Sequence, residues 1–564
     1  MTLFEPLPET MLSWRLKGPG LENFGTKGRP DLVAFPPYTE DNLIARVDAC
    51  GLCFSDIKLI TSGNAHPRIE GRDLASNPTV PGHEVALTIV GVGDAWKDRF
   101  EPGSRYIIQA DVFYNGKSTA FGYVIPGGLS QYVVIGREVL EGDEGCYLLP
   151  VRPETGYAEA ALVEPWTCVI ASYQIAARTD LKKAVLYFFG SASGQIPLDL
   201  SGLKERGISR IFHAGLSDSN RETVERLAGE AGAPIEAGPP GGGAAPTDIV
   251  CSGTPTREDC AVLTDLLDAD GVLGIHTSLP DAVLPIDVGK IHYRRMGIVG
   301  SADGKVLASY RNNARERLAA GGTAWFVGGA GPMGQMHVIR AVYDAEGPSR
   351  ILVTDRLDER LNEIKRLVTL IAGKGGRKVS LEFMNSKDLE GDDLDAFMER
   401  GYPDGFDDIV VLVPVATTIS EVSVYLAPGG VLNIFAGVKI GTRADISLAS
   451  VVRKRSRIMG SSGSPLSAMK DTLALVEAGK LSTALSLAAV GDVFSAGKGM
   501  KALMDGTYTG KIVIFPFAEG IGLKSLPGLA RESPEIAPLL LDGRYWTVAA
   551  ETAMKARLLP ARRP

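Results

Sequence analysis

Short apolar runs broken by glycine and proline dominate the first part of the chain. RYIIQADVFY (Arg105 to Tyr114) and GGLSQYVVI (Gly127 to Ile135) alternate apolar and polar positions with a period near two, which predicts half-buried strands. A β-rich domain over residues 1–180 is therefore expected. From about residue 181 the pattern changes to brief fully apolar runs alternating with helical stretches, the signature of a parallel sheet with crossover helices. That stretch is too long for one such domain.

Comparison of the chain with itself supplies the reason. AVLYFFGSASGQ (Ala184 to Gln195) matches AWFVGGAGPMGQ (Ala324 to Gln335), and SRIF (Ser209 to Phe212) matches SRIL (Ser349 to Leu352), both at an offset of 140. DIV at Asp248 matches DIV at Asp408, and IVGS at Ile298 matches IMGS at Ile458, both at 160. Two tandem Rossmann-like, doubly wound α/β units are expected, over 181–305 and 320–480. YRNNARERLAAGG in the connection reads as a charged helix ending at glycine. EAGPPGGGAAP, 236–246, reads as a loop inside the first copy.

The copies differ where a dinucleotide would touch them. The second has an apolar strand, then Gly329, Gly331 and Gly334 in GxGxxG spacing with Pro332 and Met333 between them, then a helical stretch. Glycines there permit a tight turn, approach of a pyrophosphate to the backbone, and close helix packing. Asp355, at the end of the next strand, stands where a carboxylate accepts ribose hydroxyls, which favours NAD over NADP. Arg356 beside it weighs the other way. The first copy has Phe189, Ser191, Gly194 and Gly215 at the matching positions, although a one-residue gap restores Gly190 to the first glycine. The first copy is expected to have lost NAD, leaving a structural role or, as the alternative, a ligand-sensing one.

CGLCFSD (Cys50 to Asp56) and PGHE (Pro81 to Glu84) bring a thiol, an imidazole and carboxylates within a short span. Zinc accepts sulfur, nitrogen and oxygen ligands together, and three protein ligands leave a position for water or substrate. With ALVEPWTC around Glu164, these motifs resemble the zinc-dependent branch of the medium-chain dehydrogenase/reductase family. The resemblance covers residues from about 30 to 180, the stretch from about 320 to 480, and the strand GKIVIFP. It implies a GroES-like catalytic domain to which the chain returns over 481–564, with an extension beyond Pro516. It implies Cys53 and His83 as zinc ligands, Glu84 or Glu164 as the third, Ser55 as the hydroxyl that passes the substrate proton, and Asp56 as the group that orients His83. Cys168 would lie near the nicotinamide, with packing as its expected role, and Cys50 is expected to be a buried small residue. Because family members pair through their Rossmann sheets, the tandem copy could mimic that pairing within one chain, and a homodimer is the other arrangement.

The implied reaction moves a hydride between NAD(H) and the secondary alcohol or carbonyl of a polyol or sugar derivative. HPRIEGRDL, 66–74, carries His66, Arg68 and Arg72, and arginines there suit a phosphate or carboxylate. This loop and GGAGPMGQMH resemble sugar-phosphate reductases of the sorbose 1-phosphate type. A non-catalytic NAD-binding regulator is the alternative from another class. A net charge of −8 and a sequence pI near 5.5 argue against a nucleic-acid surface. No apolar run is long enough for a membrane span. Six cysteines in 564 residues do not form a secreted disulfide framework, so a cytoplasmic setting is expected. MTLFEPLPET lacks the features of a secretory leader. With no cysteine between Cys53 and Cys146, the second, structural zinc of many family members is expected to be absent. RKRSR, 453–457, is expected to cap or flank the strand RIMGSSG and face solvent rather than form an anion site, and the basic end MKARLLPARRP to face solvent or a subunit.

Overall fold

A computed structural model describes the chain except for residues 183, 204–206, 242, 376, 390 and 559–564. It divides into two compact units, Met1–Val169 with Ser464–Pro564, and Ile170–Gly463. The hand-over thus falls at 169 and 463, not at 180 and 480. Tyr173, Ile175 and Ala176, within the expected first domain, are buried in the core of the second unit.

The first unit is built on a nine-stranded sheet, counted among the described residues. Leu43–Gly51 is its spine, pairing antiparallel with Glu84–Val92, with Tyr132–Ile135 and with Lys511–Phe515 from the far end of the sequence. The apolar positions of these strands, with Trp14, Phe24 and Phe121, form one buried cluster. The extension beyond Pro516 is integrated into this unit. Glu551, on the helix Val548–Leu558, accepts the backbone N–H groups of Tyr157 and Ala158 at 2.6 and 2.9 Å, satisfying donors that a helix start leaves open. Of the basic end, the last six residues lie outside the described residues.

In the second unit the two copies form one sheet of twelve described strands, six parallel strands from each copy. The halves meet where Gly297–Ser301 runs antiparallel to Arg457–Gly460, with Ile298 facing Ile458. Those two residues are each other's counterparts at the offset of 160, so a local twofold axis passes between them. Val283–Asp287 and Arg443–Ser447 also pair antiparallel. Their central pair, Pro285 with Asp445, is again a residue and its counterpart. This is the self-complementary contact of a symmetric dimer, made here inside one chain. A single apolar cluster containing Leu284, Ile298, Ile446 and Ile458 runs through it.

A further correspondence went unread in the sequence. Arg178 meets the buried Asp248 at 2.5 Å, and Arg315 meets the buried Asp408 at 2.6 Å. Each aspartate also accepts the backbone N–H four residues beyond its arginine, that of Lys182 or Ala319. The helix expected in YRNNARERLAAGG is therefore not formed as such. Val306–Arg311 is helical, and the chain then turns so that Arg315 and Ala319 reach Asp408. RKRSR is likewise divided. Arg453 and Arg455 make exposed ion pairs with Asp281 and Asp303, but Arg457 is buried and donates to the carbonyls of Ala176 and Tyr310.

In the second copy the strand Thr323–Val327 leads through the glycines into the helix Pro332–Tyr343. In the first copy the strand Val185–Gly190 leads into a stretch, 191–203, with no helix. Gln195 there donates to the carbonyls of Ser191 and Gly215 and accepts from Ser217 N. The buried Asn220 ties down Ile196 and Leu198. At the end of this strand no helix start in 191–203 points its N–H groups at an anion.

Removing either buried aspartate leaves a desolvated arginine without its partner, a loss of about 3–5 kcal/mol. Asp248→Ala and Asp408→Ala are each expected to lower the equilibrium unfolding free energy by that amount in urea titrations. A change below about 1 kcal/mol in either variant would mean the repeated pair is not holding its half-sheet.

Candidate functional site

Cys53 sits at the point where the spine strand Leu43–Gly51 ends and the helix Phe54–Ser62 begins, as the residue that caps the helix. Asp56, in the first turn, accepts the Cys53 backbone N–H at 3.0 Å. The same carboxylate, fully buried, accepts Gly82 N–H at 3.1 Å and lies 3.2 Å from His83 Nδ1. The aspartate of CGLCFSD thereby joins the two ligand motifs. A Nδ1–H directed at a carboxylate leaves Nε2 with its lone pair, the tautomer a metal requires. Gly82 has φ +98°, and a Cβ there would lie 2.7 Å from Cys50 Sγ, so the PGHE turn needs glycine. Cys50 is buried, packed against this turn, and burial pushes its thiol well above the ordinary range.

Glu84 opens the next strand directly across from Gly51. The missing side chain at Gly51 makes room for its carboxylate, since a Cβ would run into Oε2. Cys53, His83 and Glu84 bring one ligand atom each to within 4.8 Å of one another. Ser55 lies among them, its hydroxyl donating to Cys53 Sγ at 3.0 Å and lying 3.2 Å from His83 Nε2. Burial disfavours the imidazolium of His83, but Asp56, together with Tyr123 and Cys53, holds the metal-free ring well above its ordinary value.

Glu164, on the helix Val163–Ile170, is not part of that close group of ligand atoms. It is within electrostatic reach of His83 and Glu84, and burial pushes its carboxyl up to about 7. Cys168, one turn further on, has its thiol raised well above the ordinary range, chiefly by burial.

Two participants were not singled out in the sequence. Lys511, at the start of the returning strand, donates to Glu84 Oε1 at 2.5 Å and to Leu52 O at 2.7 Å, fully enclosed. Burial alone would lower its pKa, yet Glu84 holds it above the ordinary value. A lone lysine leading an otherwise apolar strand was the available signal. Tyr123, also buried, has its ring 5.9 Å from that of His83, and nothing in its sequence surroundings marks it.

These donors fit a metal. Glu84 Oε2 is buried and has no hydrogen-bond partner, a costly state for a carboxylate oxygen unless a cation meets it. Thiol, imidazole and carboxylate together match the borderline-soft character of zinc.

In the second unit Gly331 caps the helix Pro332–Tyr343, whose first turn has no side-chain cap. A Cβ at Gly331 would meet Gly328 O at 3.7 Å, an ordinary van der Waals contact. Gly334 instead packs hard on Gly328 and Gly329. The Asp355 carboxylate accepts the N–H groups of Ala330 at 3.2 Å and Leu357 at 3.3 Å, placing it beside the glycine loop. The glycine loop and the helix start without a side-chain cap suit the pyrophosphate of a dinucleotide.

The alcohol dehydrogenase GroES-like domain matches residues 39–141. L-sorbose 1-phosphate reductase of Klebsiella pneumoniae is 24% identical over 542 residues, 94% of each chain. Mannitol-1-phosphate 5-dehydrogenase of Aliivibrio fischeri is 22% identical over 529 residues, 92% of each. Among solved structures, 2R,3R-butanediol dehydrogenase of Bacillus subtilis matches with TM-score 0.51 and 15% identity, over 90% of this chain and 99% of its own. An alcohol dehydrogenase of Thermotoga maritima matches with TM-score 0.52 and 12% identity, over 90% and 99%.

Replacing Lys511 with methionine would leave Glu84 as a buried carboxylate without its cation. Lys511→Met is expected to lower the unfolding free energy of metal-depleted protein by about 3–5 kcal/mol, and Glu84→Gln in the same chain to restore much of the loss. Equal stability of Lys511→Met and the parent chain would contradict the pairing.

Proposed function

We propose, for a chain that is a medium-chain dehydrogenase/reductase-like oxidoreductase, a zinc-dependent exchange of hydride between NAD(H) and the secondary alcohol or carbonyl of a polyol or sugar derivative. The observation that carries the reading is the meeting of Cys53, His83 and Glu84 within 4.8 Å around a carboxylate oxygen with no other partner. These three residues would hold the metal, with Glu164 in reserve as a fourth or exchanging ligand. When bound, zinc supplies Lewis-acid polarisation of the reacting oxygen and the nicotinamide supplies the hydride acceptor or donor.

The chain's own residues prepare and serve that chemistry. Asp56 fixes the His83 tautomer and the ring's direction, the second layer of support that metal ligands need. Ser55, whose hydroxyl already touches Cys53 Sγ and His83 Nε2, is positioned to take up or return the proton of the substrate hydroxyl. Lys511 neutralises one oxygen of Glu84 and so turns the other toward the ligand group. In the second unit Gly329, Gly331 and Gly334, with Pro332 and Met333, would cradle the pyrophosphate. Asp355 would accept the ribose hydroxyls and repel a 2′-phosphate, favouring NAD even with Arg356 adjacent.

A second reading narrows the substrate to a phosphorylated polyol or ketose. It is favoured because the two curated relatives above, matched along more than nine-tenths of this chain, are named for sugar-phosphate substrates.

Formation of reduced nicotinamide should be followed by absorbance over a panel of polyols, sugar phosphates and simple alcohols, with metal measured on the same sample. The expected result is turnover with about one zinc per chain. Cys53→Ser should remove both metal and turnover while dinucleotide binding survives. Unchanged turnover in that variant would take zinc out of the mechanism. Calorimetric titration with NAD is expected to saturate at one molecule per chain, because the strand Val185–Gly190 of the first copy leads into a stretch, 191–203, without a helix start. Two equivalent sites would overturn that assignment.

A further inference from the structure

The two arginines of HPRIEGRDL have different duties. Arg72 is consumed by the protein: its guanidinium donates to the carbonyls of Asn77, Pro78, Tyr123 and Val124 and to Asn77 Oδ1, at 2.8 to 3.2 Å. It staples the loop and has nothing left for a ligand. Arg68 is held otherwise. Its guanidinium lies 4.9 Å above the ring of Tyr123, the ring that neighbours His83 at 5.9 Å. One aromatic ring thus separates this cation from a proposed metal ligand. Nη1 pairs with Asp111 Oδ1 at 2.6 Å, and the two side chains are 40% and 29% exposed. A guanidinium carries five N–H donors, so this single contact leaves the fork with donors to offer.

The surroundings of Arg68 set the sign of what it can take. The ligand group is crowded with carboxylates: Asp56, Glu84, Glu164 and, beside Arg68, Asp111. A dianion would be repelled from such a place unless fixed cations stood at its edge. The edge formed by the helix Phe54–Ser62 and the turn Pro67–Ile69 supplies them. His66 packs on Tyr123 with ring centroids 5.4 Å apart, and its Nδ1 accepts the Arg68 backbone N–H. Burial, and then the nearby Arg68 and Lys58 charges, depress the ionisation of His66. His66 and Arg68 therefore both lie on the ring of Tyr123, with the Lys58 cation near His66, and Asp111 is the carboxylate paired with Arg68.

We propose that Arg68, backed by His66 and Lys58, binds the phosphate of a phosphorylated polyol or ketose while the reacting carbon lies at the Cys53–His83–Glu84 group. This rests on the sugar-phosphate reading of that same site. Asp111 occupies the fork between turnovers, and a phosphate takes its place. The planar guanidinium gives phosphate two parallel hydrogen bonds, and stacking on Tyr123 fixes the plane in which they point. Asp111 therefore weakens phosphate binding, and its charge is what the ligand must displace.

The test uses the full chain, with a hexitol and its phosphate ester as paired substrates and inorganic phosphate as the binding probe. Arg68→Gln is expected to raise KM for the ester relative to the hexitol by about tenfold or more, with Arg68→Lys recovering part of it. Asp111→Asn is expected to lower that ratio. Independently of turnover, the phosphorus NMR line of inorganic phosphate should broaden with the parent chain and not with Arg68→Gln. Equal effects of Arg68→Gln on ester and hexitol would overturn the proposal, and so would phosphate broadening that ignores Arg68. If no substrate turns over yet phosphate binding depends on Arg68, the dehydrogenase reading fails while the anion site stands.

Discussion

The carboxylate of Asp56 is the point on which the candidate centre depends. It is buried, and it gathers the backbone of Cys53, the backbone of Gly82 and the ring of His83. Candidate ligands from two segments separated by a helix and two short 3-10 turns are brought into register by one side chain. The strand pairing does the rest. Gly51 and Glu84 face each other across two antiparallel strands, and Lys511 arrives on a third strand to hold one oxygen of Glu84. Each position is fixed by hydrogen bonds that would be costly to leave unmade in so enclosed a place.

The second unit obeys a different constraint, that of a sheet edge. A six-stranded parallel half-sheet ends in a strand with open backbone groups, and a lone copy would expose it. Here the two copies cover each other's edge, with Ile298 against Ile458 on the local axis. Once a copy has that duty, its strands and its buried Arg–Asp pair must persist while its glycine loop is under no such demand. In the first copy Arg178 pairs with Asp248, whereas the stretch 191–203 after Gly190 is hydrogen-bonded without a helix.

Much of this was legible in the sequence. The change from alternating to continuous apolar runs located the two kinds of sheet, and the offsets of 140 and 160 exposed the tandem copies. CGLCFSD and PGHE carried the candidate ligand types that the structure brings together, and GxGxxG with Asp355 carried the candidate nucleotide loop, with Asp355 beside the glycines. What escaped was long-range electrostatics. Lys511, Tyr123 and the pairing of Arg315 with Asp408 join residues tens to hundreds of positions apart, and no local period records such contacts. The charged run before the second copy looked like a helix because charge and helix propensity agree there. Burial of Asp408 outweighed both, pulling Arg315 and Ala319 N toward it.

The most direct test of the central claim is the X-ray absorption fine structure of zinc in the full-length chain. One sulfur at about 2.3 Å together with nitrogen and oxygen ligands at about 2.0–2.2 Å is the result predicted for Cys53, His83 and a glutamate. A shell without sulfur, or a chain that takes up no zinc, would contradict it.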